Sequence, residues 1–227
     1  MRRFKVRFFT ILLFQIISST LFAQIYCTPL NSICSDFQNF RIETVVIGSI
    51  NNNSLCGVNG YNDYTNSITP ATISAGTYIP LTVKVGAYGV NKIVTIGIDF
   101  NQNGVFNPNE ISIIGTNATS NPLSPYNPII SNIVRIPFTA LPGSTRLRVM
   151  VSNSAGISPL CSAGTFGEIE DYTINIIQAT SAGANFNFYV NKLASGLNNG
   201  LSWANAFTEL KTALNYAQGQ DTIRVAA

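Results

Sequence analysis

Between residues 41 and 177, short β-branched and apolar runs are separated by clusters of Asn, Gly, Pro and Ser. The runs predict strands over 41–50, 78–85, 92–100, 111–115, 132–137, 146–151 and 172–177. In 92–100, Ile93, Thr95, Gly97 and Asp99 fall on one face. Val94, Ile96, Ile98 and Phe100 fall on the other, which the alternation assigns to the core. About seven strands with no amphipathic helix between them predict an all-β protein, an antiparallel β-sandwich.

The pattern changes past residue 178. A linker over 179–187 includes the small-residue run Thr180-Ser181-Ala182-Gly183-Ala184. A strand-like run at 186–190 follows, then a helical pattern: Ser202 as N-cap before Trp203, an apolar stripe of Phe207, Leu210 and Leu214 with Ala217 beside it, and Gly219 at C′. Ile223 and Val225 open another strand. A strand, one helix and part of a strand cannot bury a core, so residues 188–227 are expected to be the truncated start of a further domain. At the other end, Arg2, Arg3, Lys5 and Arg7 precede an interrupted apolar run over 8–22 and Ala23. This reads as a secretory signal peptide, residues 1–23, rather than a spanning helix, which needs about 20 apolar residues. The expected product is secreted, at the cell surface or beyond it, with no membrane span after cleavage.

Composition narrows the chemistry. Of the 227 residues, 46% are hydrophobic and 10% charged, and histidine is absent. Without histidine there is no Ser–His–Asp or Cys–His catalysis and no imidazole-ligated metal. The formal charge is +3, but four of the 13 basic residues lie in the leader. The mature chain then carries nine basic residues against ten acidic, too little positive charge to hold a phosphate backbone. Nucleic acid is therefore not an expected partner. In an exported protein Cys27, Cys34, Cys56 and Cys161 are expected as two disulfides, and four cysteines allow three pairings. The preferred one joins Cys27 to Cys34 and Cys56 to Cys161.

Two clusters carry candidate chemistry. Asp99-Phe100-Asn101-Gln102-Asn103-Gly104, with Glu110 beyond, matches the calcium-loop pattern D-x-[DN]-x-[DN]-G-x₅-E. Asp99, Asn101, Asn103, the Val105 carbonyl and Glu110 would hold calcium on a β-scaffold, with Kd about 10⁻⁴–10⁻³ M because two positions are amides. The alternative is a hairpin loop rich in Asn and Gly that binds nothing. The second cluster is Gly167-Glu168-Ile169-Glu170-Asp171-Tyr172. On a strand Glu168 and Glu170 share a face and Asp171 opposes them. Paired carboxylates suit glycoside hydrolysis or support of a metal. They also suit structural ion pairs with Arg146 and Arg148, which share one face of their strand. Pairing of Glu170 with Arg148 is the expectation. Tyr61 and Tyr64 are either a sugar-stacking platform or a cover for the sandwich end.

Tyr26-Cys27-Thr28-Pro29, Gly48 to Asn52, Gly60-Tyr61-Asn62-Asp63-Tyr64-Thr65, the loop opened by Asp99, Thr145-Arg146-Leu147-Arg148-Val149 and Gly167-Glu168-Ile169-Glu170-Asp171-Tyr172 occur together in an order that resembles the GEVED domain, with Ile169 in place of the signature valine. The resemblance spans about 26–177 within a domain of residues 24–178. It implies a β-sandwich accessory module of secreted bacterial multidomain proteins, with no established activity. Phe188-Tyr189-Val190-Asn191, Ser202-Trp203-Ala204-Asn205-Ala206-Phe207 and Asp221-Thr222-Ile223 resemble the opening of a pectate-lyase-like right-handed parallel β-helix, where a strand–helix–strand cap starts the first coil. Two functions follow as expectations. One is a non-catalytic binding module for adhesion or contact with glycans or other surface components. The other is a fragment of an extracellular polysaccharide-degrading enzyme whose catalytic coils are missing.

Overall fold

The structure is a computed structural model describing residues 25–34, 39–87, 91–117, 128–153, 160–178, 186–196, 198, 200–217 and 221–226. The leader, linker residues 179–185 and Gly219 lie outside these residues. In chain order the elements are β1 (Ile42–Ile47), β2 (Ile50–Asn53), β3 (Tyr61–Asp63), β4 (Ala71–Ser74), β5 (Tyr78–Val85), β6 (Lys92–Ile98), β7 (Ile111–Asn117), β8 (Ile129–Arg135), β9 (Gly143–Ser152), β10 (Gly167–Ile177), β11 (Asn187–Val190), α1 (Leu210–Tyr216) and β12 (Thr222–Val225).

Two sheets share one core. The smaller runs β2-β1-β5-β8 and the larger β3-β10-β9-β6-β7, with β4 also on β10. Val45, Ile47, Leu81 and Val83 from the small sheet meet Ile96, Ile98, Leu147, Val149 and Ile174 from the large one, all nearly inaccessible to solvent. Burial of each such side chain stabilises by about 1.5–3 kcal/mol. The predicted inward face of β6 is observed: Val94, Ile96 and Ile98 belong to this core and Phe100 packs against it. Two strands depart from the antiparallel expectation, since β3 and β4 pair in parallel with β10. The predicted strand 41–50 is instead a hairpin. Gly48 adopts φ +57°, which lets the chain reverse between Ile47 and its partner Ile50.

A second layer covers the outer face of the large sheet. Phe106, Leu160 and Ala163 close over Met150 and Ile169, flanked by Tyr26, Tyr61 and Ile111. Gly97 makes that approach possible. A Cβ there would lie 2.7 Å from both Leu160 and Phe106 side-chain carbons.

The N-terminal strap, residues 25–34, corrects the expected disulfides. It runs extended beside residues 161–167: the Leu30 N–H donates to the Cys161 carbonyl, Ile33 N–H to Thr165, and Gly167 N–H to Ile33. Seven residues of extended chain span about 23 Å, so Cys27 and Cys34 sit at opposite ends of the strap and cannot meet. The bonds are Cys27–Cys161 and Cys34–Cys56. In the chain-entropy account the long and short loops contribute about 5 and about 3.4 kcal/mol.

The C-terminal part packs on the outside of the small sheet. β11 and β12 pair in parallel. Phe188, Val190, Phe207 and Ala213 bury against Ile133 of β8, while Tyr78 of β5 donates to Asp221 at 3.2 Å. The predicted helix from Ser202 is shortened to α1. The Ser202 hydroxyl accepts from the Asn205 N–H in a turn, and Phe207 bridges to Val190 instead of lying on the helix. Leu210 and Leu214 are therefore exposed, and Ala213 is buried.

Non-reducing peptide mapping should recover fragments linking Cys27 to Cys161 and Cys34 to Cys56. A Cys27–Cys34 peptide would overturn the placement of the strap.

Candidate functional site

The alternation of β9 and β10 sorts the charged cluster onto two faces. Ile169, Asp171 and Thr173 point outward, and Glu168, Glu170 and Tyr172 point inward toward the end of the sandwich. On β9, Arg146 and Arg148 point outward. In the β9–β10 register Asp171 lies directly opposite Arg148.

The outward group is a closed ion-pair network. Arg148 Nε donates to Asp171 Oδ1 at 2.7 Å and Nη2 to Oδ2 at 2.8 Å, a bidentate pair with both side chains buried. Nη2 also donates to the Cys27 carbonyl at 3.1 Å, and Nη1 donates to the Leu160 carbonyl at 3.0 Å and approaches Cys27 Sγ. Arg146 Nη1 and Tyr61 Oη also donate to Asp171 Oδ2, at 2.7 and 3.0 Å. The expected arginine–carboxylate pairing is thus present but involves Asp171. Glu170 does not meet Arg148, because it faces the other side of the strand.

Among the described residues, the inward pair has no arginine within hydrogen-bonding distance. Glu168 accepts the backbone N–H groups of Ile42 and Gly57, each at 2.7 Å, and the Asn62 amide at 3.1 Å. It ties β1 and the loop after Cys56 to β10. Glu170 accepts from Tyr172 Oη at 2.7 Å, and its Oε1 is buried with no hydrogen-bond partner. Burial, reinforced by the charge of Glu170, raises Glu168 to about 8. Burial raises Glu170 to about 7. Tyr64 stacks on Tyr172 at 5.4 Å and covers this end, and the hydroxyl of Tyr61 is engaged by Asp171.

The loop 99–110 opens at the edge of the outward network. Asp99 is fully buried; Oδ2 accepts from the Gly104 N–H and from Tyr26 Oη, both at 2.8 Å, and Oδ1 accepts from the Asn103 N–H at 3.2 Å. The Asn101 and Asn103 side-chain oxygens accept from the N–H groups of Asn103 and Val105. Glu110 returns to the loop, with Oε1 accepting from the Asn101 N–H at 3.2 Å and Oε2 from Asn107. The structure therefore brings Asp99, Asn101, Asn103 and Glu110 into one loop around Gly104, which adopts φ +83°. The donors are all oxygen, which suits a hard cation. No group of three or more Cys, Asp or Glu side chains gathers among the described residues, so this loop has two carboxylates at most.

Tyr26 joins this site from the strap. Its ring lies 5.3 Å from Phe106 and 4.5 Å from the Arg146 guanidinium, and burial raises its hydroxyl well above the usual range. Its position next to Cys27 is the only sequence signal that it would be held in place.

Against known proteins, the GEVED domain family matches residues 94–175, from β6 to the last third of β10. The matched stretch contains loop 99–110, both arginines and all three β10 carboxylates, while β1, β2, β4 and β5 lie outside it and complete the same core. No curated protein and no solved structure matches the chain.

The inward pair holds protons in the folded state that an unfolded chain would release near its ordinary value of 4.5. Its contribution to stability is complete below about pH 4.5 and is lost as pH rises through about 7–8. Melting temperature should accordingly fall between about pH 5 and 9, and Glu170→Gln should flatten that slope and exceed wild type at pH 8. An unchanged slope in the variant would remove Glu170 as the proton holder. Asp171→Asn should instead cost about 3–5 kcal/mol at neutral pH, because it leaves a buried guanidinium uncompensated.

Proposed function

We propose that this chain is a non-catalytic binding and spacer module of a secreted, multidomain surface protein, with contact to glycans as its use. One observation carries the non-catalytic part. Each β10 carboxylate that could act as an acid or base serves the fold: Asp171 holds two arginines, Glu168 holds two backbone amides, and Glu170 faces the interior. The GEVED match and the two disulfides support an accessory module of an oxidising, extracellular compartment. Among the described residues no helix is long and apolar enough to cross a membrane.

Calcium is the proposed cofactor. Asp99, Asn101, Asn103, the Val105 carbonyl and Glu110 would hold it, and the bound ion would stiffen loop 99–110 against the outer layer. A second reading, an enzyme fragment, draws on the parallel pairing of β11 and β12 across α1, the arrangement with which a parallel β-helix would begin. In that case the catalytic coils would lie beyond residue 227, and coils with clustered Asp, Lys or Arg encoded there would favour it.

The secreted protein should be retained on immobilised polysaccharides without releasing new reducing ends. Release of reducing ends by residues 24–227 would overturn the non-catalytic reading. For calcium, 10 mM should raise stability over chelator by about 1.4–2.7 kcal/mol, and Asn103→Ala should remove most of that gain. A melting temperature that ignores calcium would leave the loop a plain hairpin.

A further inference from the structure

The two outward arginines of β9 differ in how far the protein satisfies them. Every nitrogen of Arg148 is engaged, and the side chain is 1% exposed. Arg146 is 22% exposed, and among the described residues its guanidinium makes one hydrogen bond, Nη1 to Asp171. Arg146 is nevertheless held in place. It lies over the Tyr26 ring at 4.5 Å and is pinned by Asp171 at 2.7 Å. It lines a cleft of about 190 Å³ together with Tyr26, Ser144, Thr145 and Thr173.

The lining hydroxyls settle the kind of ligand. Ser144 Oγ donates to Asn175 Oδ1 at 2.6 Å, Thr173 Oγ1 to the Thr65 carbonyl at 2.9 Å, and Thr145 Oγ1 to the Asp99 carbonyl at 2.6 Å. The Ser144 and Thr173 hydrogens are committed, so toward the cleft these two oxygens accept, while the Thr145 hydroxyl is buried on the inward face of β9. Arg146 can only donate. A ligand must therefore bring acceptors for the guanidinium and donors for the hydroxyls within one small volume. A carboxylate or sulfate would face lone pairs on the hydroxyls, and Asp171 already compensates the arginine charge. An ammonium group would face the guanidinium. A sugar hydroxyl is both donor and acceptor.

Resting on the glycan reading above, we infer that the Tyr26–Arg146 cleft is a subsite for one neutral, hydroxyl-rich sugar residue. The Tyr26 ring already packs against Phe106 and under Arg146, so it offers little stacking surface. Binding is polar and weak, in the millimolar range for a short oligosaccharide.

The test is amide NMR titration of the mature protein with neutral gluco-, manno- and galacto-oligosaccharides, and with an oligogalacturonate as the anionic probe. Shifts should concentrate at residues 144–146 and 173 with a neutral sugar. Arg146→Gln should weaken binding roughly tenfold or more, as expected for loss of charged donors. Ser144→Ala should weaken it several-fold without moving the melting temperature, which covers the case in which the arginine variant folds poorly. Shifts elsewhere, or polysaccharide retention unchanged in both variants, would overturn this subsite and leave the glycan reading standing. No shift with any neutral sugar, together with no retention on polysaccharide, would overturn both. Tighter binding of oligogalacturonate at Arg146 would overturn the neutral class.

Discussion

The buried bidentate pair between Arg148 and Asp171 holds the outer half of this molecule together. Arg148 is the largest fully buried side chain, and its position in the middle of β9 obliges the surroundings to satisfy every donor it has. Asp171 takes two, the carbonyls of Leu160 and Cys27 take one each, and Cys27 Sγ takes the fifth. Those two carbonyls belong to the segments joined by the Cys27–Cys161 disulfide. The ion pair thus fixes where the strap and the 160–166 segment lie, and the outer apolar layer assembles over it with Phe106 across the guanidinium. It also sets register. A one-residue slip of β10 against β9 would turn Asp171 into the core and set Glu170 or Tyr172 opposite Arg148 in its place.

Adjacent residues of β10 meet opposite electrostatic problems because a strand alternates its faces. Asp171 pairs with arginines, whereas Glu168 and Glu170 enter the closed end of the sandwich, where burial favours the proton on both and the charge of Glu170 adds to it at Glu168. Glu168 accepts from two backbone N–H groups, fixed dipoles that oppose the rise without cancelling it. That end of the fold is therefore acid-stabilised, while the outer face depends on an ionised aspartate.

Face assignments were legible in the sequence because strand period does not depend on partners. The inward set of β6, the shared face of Arg146 and Arg148, and the opposition of Asp171 to Glu168 and Glu170 all follow from it. Which acid meets the arginines was not legible, since that requires the β9–β10 register as well as the faces. The early start of β10 was hidden by acidic residues that seldom begin a strand; Gly167 was the available signal, because a Cβ there would press to 2.4 Å from the Val151 carbonyl. Gly97 and Thr95 on the outer face of β6 likewise hinted at a close-packed second layer. The disulfides could not be read from spacing, because only the extended course of the strap separates Cys27 from Cys34.

The same arrangement explains why the outer face can hold a polar side chain ready for a ligand without a deep pocket. A solvent-facing arginine normally loses considerable rotamer freedom on binding. Arg146 has already lost it on folding, between the Tyr26 ring and the Asp171 carboxylate. Tyr26 in turn cannot turn away, because its hydroxyl is held by Asp99 and its neighbour Cys27 is bonded to Cys161. The order at Arg146 therefore derives from the buried pair beneath it, through Asp171 on one side and the disulfide-anchored strap on the other. Preorganisation of that kind lowers the cost of binding without adding contacts.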